Sequence, residues 1–209
     1  MPSIQYNGGG TFITIIGGKF KQKSEEGVAG ATLREYELKD GTKGSKWELS
    51  YDGWCGTLKD LAFEDTKFGK VINLNFEDVT VQVSKQSRYF ASLLEKLPNI
   101  DLKKEFTITP YSFEADGKKR TGVSISQDNE KIKGAFFDGK NTLLGAPDGK
   151  DVDWKDEDEC KMFFMTRDKF LIGYIQENVI DKFEKVLGSS DVPFDLTDVD
   201  EDLNDISFD

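Results

Sequence analysis

The chain has 209 residues, 37% of them apolar and 32% charged, and its 39 Asp and Glu outweigh 28 Lys and Arg for a formal charge of −11. That length and apolar content suit one domain, or one domain with an appendage, able to bury a core without covalent staples. The absence of histidine removes the usual general base, the commonest transition-metal ligand and every His-dependent triad, and Cys55 and Cys160 stand too far apart in sequence for a standard zinc site. No enzymatic activity and no cofactor are expected.

The first segment, "MPSIQYNGGGTF", has neither a basic n-region nor an apolar h-region, and no run approaches the roughly 20 apolar residues of a membrane span. Both cysteines read as free thiols in a reducing compartment, so the expectation is a cytoplasmic protein with no membrane partner. The runs "NGGGTF" and "IIGGKF" lack the spacing and the GK[ST] ending of a phosphate-cradling loop and read as turns.

β-branched and aromatic residues between Gly-containing turns then predict a series of strands. "TFITIIGGKFKQK" is the first; "ATLREYELKDGTKGSKWELSYDGW" follows, with Asp40-Gly41 as a turn signal; "KFGKVINLNFEDVTVQVSK" alternates apolar and polar residues from Val71 to Val83. In "SRYFASLLEKLP" the residues Phe90, Leu93, Leu94 and Leu97 share one helical face, with Ser87 as N-cap and Pro98 just beyond the end. Strands resume in "EFTITPYSFEADGKKRTGVSISQ", a hairpin about "ADGKK" whose Pro110 weakens the first arm or puts it at an edge, and in "KIKGAFF". Phe12, Phe63, Phe76 and Phe136 lie in apolar company and are expected in the core.

Strands, one short helix and further strands make the fold mainly β, an antiparallel OB-fold-like β-barrel, although other small barrels give the same order. A C-terminal amphipathic helix is expected over 166–187, with Ile172, Ile175, Val179, Phe183 and Val186 on one stripe and Gly188 at its C-cap. Three regions result: residues 1–147 as the barrel, 148–188 as an acidic loop with the C-terminal helix, and 189–209 as an acidic tail whose composition predicts disorder.

Charge is unevenly placed. Gly188 to Asp209 carry −8, Asp148 to Glu159 carry −5, and the remainder sums to +2. The tail's Asp198, Asp200 and Asp202 have calcium-loop spacing, but Leu203 occupies the position that needs Gly, so a solvated acidic tail is the better reading. The near-neutral remainder leaves room for a basic face.

Strand alternation sets bases and rings side by side along that remainder. Lys19, Lys21 and Lys23 share one side of "KFKQK"; Arg34 and Tyr36 share a side of "REYELK"; Lys46 precedes Trp47, which shares a side with Tyr51, and Trp54 follows. Lys67, Phe68 and Lys70 come next, then Arg88 and Tyr89, and finally Tyr111, Phe113, Lys118, Lys119 and Arg120. Single-strand binding needs rings on which bases stack, each worth roughly 1–3 kcal/mol, in a groove of Lys and Arg that follows the phosphates. Core packing is the competing reading for each of these rings.

A strand-rich body followed by "SSDVPFDLTDVDEDLNDISFD" resembles the single-stranded DNA-binding proteins of bacteria and bacteriophages, and the helix at 166–187 makes the phage type the closer comparison. The resemblance implies an OB-fold body that coats and protects single-stranded DNA during phage replication, recombination or repair in the host cytoplasm, and it leaves room for a homodimer. It also implies that the tail, through Phe194, Asp198, Asp200, Glu201, Asp202, Asp205, Ile206, Phe208 and Asp209, recruits replication proteins such as a DNA polymerase, helicase or primase and competes with DNA for the basic groove. Two other classes stay open: an acidic DNA mimic that inhibits a host nucleic-acid enzyme, and a virion or scaffold component.

Overall fold

The computed structural model describes residues 11–37, 41–138 and 141–183. Its first strands, β1 (Thr11–Ile16) and β2 (Lys19–Ser24), are joined by Gly17 and Gly18 at φ of 58° and 80°, the turn whose twist suits an antiparallel pair. Gly18 is doubly constrained, because a Cβ there would also lie 2.5 Å from the backbone nitrogen of Ser112. β3 (Thr32–Glu37) pairs with β4 (Lys43–Tyr51), and the chain continues through Asp52 and Gly53 into the short β5 (Trp54–Gly56). β6 (Asp60–Thr66), β7 (Gly69–Asn75) and β8 (Val79–Ser84) form the meander expected from the alternation between Val71 and Val83.

The first helix, α1 (Arg88–Leu94), has the expected cap: the Ser87 hydroxyl accepts from the Tyr89 N–H at 3.2 Å, and a single 3₁₀ turn containing Pro98 follows. β9 (Phe106–Ala115) and β10 (Lys118–Gln127) make the expected hairpin about Asp116 and Gly117, and β11 (Glu130–Lys131) adds two residues beyond it. Pro110 is tolerated because β5 covers β9 only from Phe106 to Ile108, so that flank is open where an N–H would be missed.

The architecture is mainly β, in two sheets. One has seven strands in the order β3-β4-β2-β1-β8-β7-β6, and the other four in the order β11-β10-β9-β5. All neighbours are antiparallel except β1 and β8, which run parallel. Because β1 occupies the edge of β8 that faces away from β7, no pairing between described strands closes the sheets into a barrel.

Period-two alternation decides what is buried. Ile13, Ile15, Phe20, Leu61, Ile72, Leu74, Val81 and Val83 fill the inner side of the large sheet and meet Phe90, Leu93 and Leu94 of α1 and Phe106, Ile108, Val123 and Ile125 of the small sheet. Phe63, Phe76 and Phe136 join this core as expected. Phe12 does not: it points away from Ile13 and Ile15 and is 43% exposed. "TFITII" is apolar on both sides, so composition cannot tell which side faces inward; the pairing of β1 between β2 and β8 does.

The C-terminal helix is present, and it starts earlier than its apolar stripe indicates. α2 spans Glu157–Ile175 and continues as one π-helical turn, Gln176–Ile180, closed by the Asp181 N–H on the Gln176 carbonyl at 2.9 Å. The acidic run read as part of a loop supplies its start. Asp156 caps it by accepting from the N–H groups of Asp158 and Glu159, and Glu157, Asp158 and Glu159 fill the first turn, where carboxylates oppose the helix dipole. Leu171, Ile175 and Val179 anchor this element in the same core as the strands. Val186 and Gly188 lie outside the described residues.

Candidate nucleic-acid interface

On the side of the large sheet away from the core, alternation brings Lys19, Lys21 and Lys23 of β2, Lys46 and Glu48 of β4, and Arg34 and Tyr36 of β3 onto one face. Glu48 is 1% exposed, and its carboxylate organises the group. The Arg34 Nε donates to both carboxylate oxygens at 3.1 Å, Lys46 Nζ stands 3.3 Å from one, and Lys21 Nζ stands 3.9 Å from the other. Lys21 also donates to the Ser50 hydroxyl at 2.7 Å. Three cations thus converge on one buried carboxylate, and cations gathered on one face attract anions. Lys19 pairs with the exposed Asp52 at 3.2 Å, and the Arg34 guanidinium lies 5.4 Å from the Tyr36 ring centre.

The same face continues as an amide floor. Gln82 Nε2 donates to Asn73 Oδ1 at 3.1 Å, Asn73 Nδ2 donates to Glu64 at 2.6 Å, and Thr80 donates to Asn75 Oδ1 at 2.8 Å. Phe12 stands between this floor and the cation row, since β1 lies between β2 and β8. Glu48, Phe12, Asn73 and Gln82 were not singled out as site residues from sequence. The polar phase of "VINLNFEDVTVQV" is the signal that could have found the two amides.

A second group gathers around the start of α1. The Tyr89 hydroxyl accepts from the Gly18 N–H at 2.7 Å, which ties the β1–β2 turn to the helix, and Gly18 abuts Tyr111 and Ser112 of β9. Gln86 Nε2 donates to the Phe68 carbonyl at 3.2 Å, which ties the β6–β7 turn to the same place. Around this junction lie exposed Arg88, Lys67 with its ammonium 4.8 Å from the Phe68 ring centre, and Lys70, paired with Asp65 at 2.8 Å. Tyr111 and Phe113 are 37% and 54% exposed and pack on each other at 5.7 Å between ring centres. Arg120 pairs with Phe113 across the hairpin, and exposed Lys118 and Lys119 sit at its tip.

Four of the sequence-assigned rings lie off the face of the cation row. Tyr89 is 6% exposed; burial pushes its phenol above the ordinary range, while hydrogen bonds from Gly18 and Ser112 pull it the other way. Trp54 packs edge-on against Phe76 at 6.1 Å with its indole nitrogen buried. Tyr51 packs against the core and donates to Gln22 Oε1 at 2.8 Å, and burial raises its pKa as well. Trp47 shares the side of Tyr51, opposite to Lys46 and Glu48, between Ser24 and Leu33. Alternation correctly grouped Trp47 with Tyr51; which side faced the core was decided by the neighbouring strands. None of these four adjoins the cation row on its own face.

Phe194, Asp198, Asp200, Glu201, Asp202, Asp205, Ile206, Phe208 and Asp209 lie outside the described residues. Among the described residues no helix is long and apolar enough to cross a membrane. No protein-family model matches the chain, and no curated protein or solved structure matches it either.

Proposed function

We propose that the protein binds single-stranded DNA, with little sequence preference, along the outer face of the large sheet and across the Tyr111–Phe113 pair. The observation that carries this reading is the convergence of Arg34, Lys46 and Lys21 on the buried Glu48 carboxylate, with Lys19 and Lys23 on the same face. Phosphates would meet the cation row, and bases would stack on the exposed rings of Tyr111, Phe113 and Phe12.

The connectivity from β5 to β10 supports it. If β5 and β6 count as one bent strand, the order is three strands, α1 and two strands, with β6–β7, β7–β8, β5–β9 and β9–β10 all paired. That is the order of an OB-type barrel left open where β1 lies beside β8. OB-folds bind oligonucleotides on the face of their second and third strands and with the loops after the first and fourth. In this chain those are β7 with β8, the Lys67–Phe68 turn, and the Asp116–Gly117 turn next to Lys118 and Lys119. The acidic tail then serves as a competitor for the cation row and, through Phe208, as a hook for replication proteins, so that the protein coats single strands without catalysing a reaction. A homodimer is compatible with this reading, as is a cytoplasmic location.

The test is fluorescence anisotropy with single-stranded and duplex oligonucleotides of equal length across salt. Tighter binding of the single strand, weakening with salt at a slope near −0.7 per phosphate contacted, is the expected result. Equal affinity for both forms at every salt concentration overturns the reading.

A further inference from the structure

A cleft of about 510 Å³ lies between Glu95 at the end of α1, the 134–154 connection and α2, on elements that contribute nothing to the cation row. Its walls are rings: Phe136 and Phe170 meet edge-on at 5.5 Å, and Trp154 and Phe163 meet edge-on at 5.3 Å. The backbone that carries them is tied down. The Ala135 N–H donates to the Glu95 carbonyl at 2.7 Å, and the Leu143 N–H donates to the Phe136 carbonyl at 2.9 Å. Gly149 approaches the rings so closely that a Cβ there would stand 2.8 Å from the Trp154 side chain and 3.3 Å from that of Phe163. Trp154 is therefore packed on one side although it is 55% exposed. A cleft of this size, with ring walls and a few polar groups, suits a small flat guest.

Charge narrows the guest. The charged groups in the lining are Glu95 and Asp148 against Lys150 and Arg167. Asp148 and Lys150 pair with each other at 2.8 Å, and Arg167 stands 3.4 Å from Asp168. Acids and bases cancel, so the lining selects neither an anion nor a cation over a neutral molecule. Carboxylates accept hydrogen bonds, whereas ammonium and guanidinium groups donate them, so a guest with both donors and acceptors on its rim is matched and a purely apolar ring is not. We propose that this cleft binds a neutral nitrogen heteroaromatic of the nucleobase class, packed against the ring walls, with its N–H groups toward Glu95 or Asp148 and its acceptors toward Arg167 or Lys150. The base is supplied either by a free nucleoside or by a bound strand, and the site does not depend on the cation row.

Full-length protein would be titrated in a calorimeter with deoxyadenosine and deoxycytidine, with their 5′-monophosphates, and with indole. At least one nucleoside should bind saturably and roughly tenfold more tightly than indole, and its monophosphate should bind within about threefold of it. Trp154→Ala and Phe163→Leu, each checked by thermal melting, should each weaken nucleoside binding roughly tenfold. Glu95→Gln leaves the lining with a surplus base, so the monophosphate should then bind severalfold more tightly than the nucleoside. A parallel loss of single-strand affinity in Trp154→Ala would assign the cleft to a base of the bound strand, and an unchanged affinity would assign it to a free nucleoside. Saturation by neither nucleoside, or indole bound as tightly as either, overturns the proposal. So does a monophosphate preferred more than about tenfold by the wild type, or undiminished binding in both ring variants.

Discussion

Replacing Glu48 by Gln keeps the shape of the side chain and removes the charge on which Arg34, Lys46 and Lys21 converge. At separations of 3.1 to 3.9 Å each pair is worth roughly 4–5 kcal/mol of gross attraction at an effective dielectric of about 20, most of it offset by the desolvation needed to form the pair. Removing one partner of a buried pair forfeits the attraction while the other stays desolvated, at about 3–5 kcal/mol. Here the cation heads keep some contact with water, so the lower end, about 3 kcal/mol, is expected. For a domain of this size that is a fall in Tm of roughly 6–12 °C. Urea unfolding and thermal melting measure it directly. Phosphates seated on the face would supply the missing negative charge, so saturating single-stranded oligonucleotide should raise the Tm of Glu48→Gln by more than that of the wild type. A stability loss below about 1 kcal/mol would mean that the three cations are already solvated. An equal Tm gain for variant and wild type would mean that DNA does not sit on them.

Tyr111→Ala and Phe113→Ala should each weaken single-strand binding by about 1–3 kcal/mol with little change in melting temperature, checked by anisotropy and calorimetry, because both rings are exposed. Tyr51→Ala should do the reverse, losing about 2–3 kcal/mol of stability in urea while the folded protein binds DNA as before, since that ring packs on the core. Tyr89→Phe should cost about 1 kcal/mol at neutral pH through loss of the hydrogen bond from Gly18. It should also flatten the alkaline limb of stability: with its folded pKa raised, the Tyr89 phenol contributes fully below its unfolded pKa near 10 and loses that contribution as pH rises toward the folded value, so wild type minus variant should shrink above about pH 10 in urea titrations. Deleting 191–209 should tighten single-strand binding, most at low salt, whereas Phe208→Ala should leave binding unchanged and abolish capture of a purified cognate polymerase.

Local pattern alone fixed much of the chain. The Gly17-Gly18 and Asp116-Gly117 hairpins, the alternating strands from Val71 to Val83, and α1 with its Ser87 cap follow from period, turn chemistry and capping, which act over a few residues and leave their mark in composition. The grouping of Lys19 with Lys21 and Lys23, and of Trp47 with Tyr51, follows from the same period. Which side of a strand became core did not. "TFITII" and "KWELSY" offer apolar or aromatic residues on both sides, and only the placement of β1 between β2 and β8, and of β4 between β2 and β3, turned Ile13 and Tyr51 inward and left Phe12 and Glu48 on the other face. The acidic run at Asp156–Glu159 was ambiguous for a related reason, because carboxylates suit both a solvated loop and the first turn of a helix. The Asp156 carboxylate, accepting from the N–H groups of Asp158 and Glu159, marks where the helix begins, and Leu171 and Ile175 hold its far end in the core. Glu48 shows the limit most clearly. One acid among many in the sequence, it became the hub of the basic face only when three strands in register brought a guanidinium and two ammonium groups onto it, a convergence that long-range pairing creates and local composition does not record.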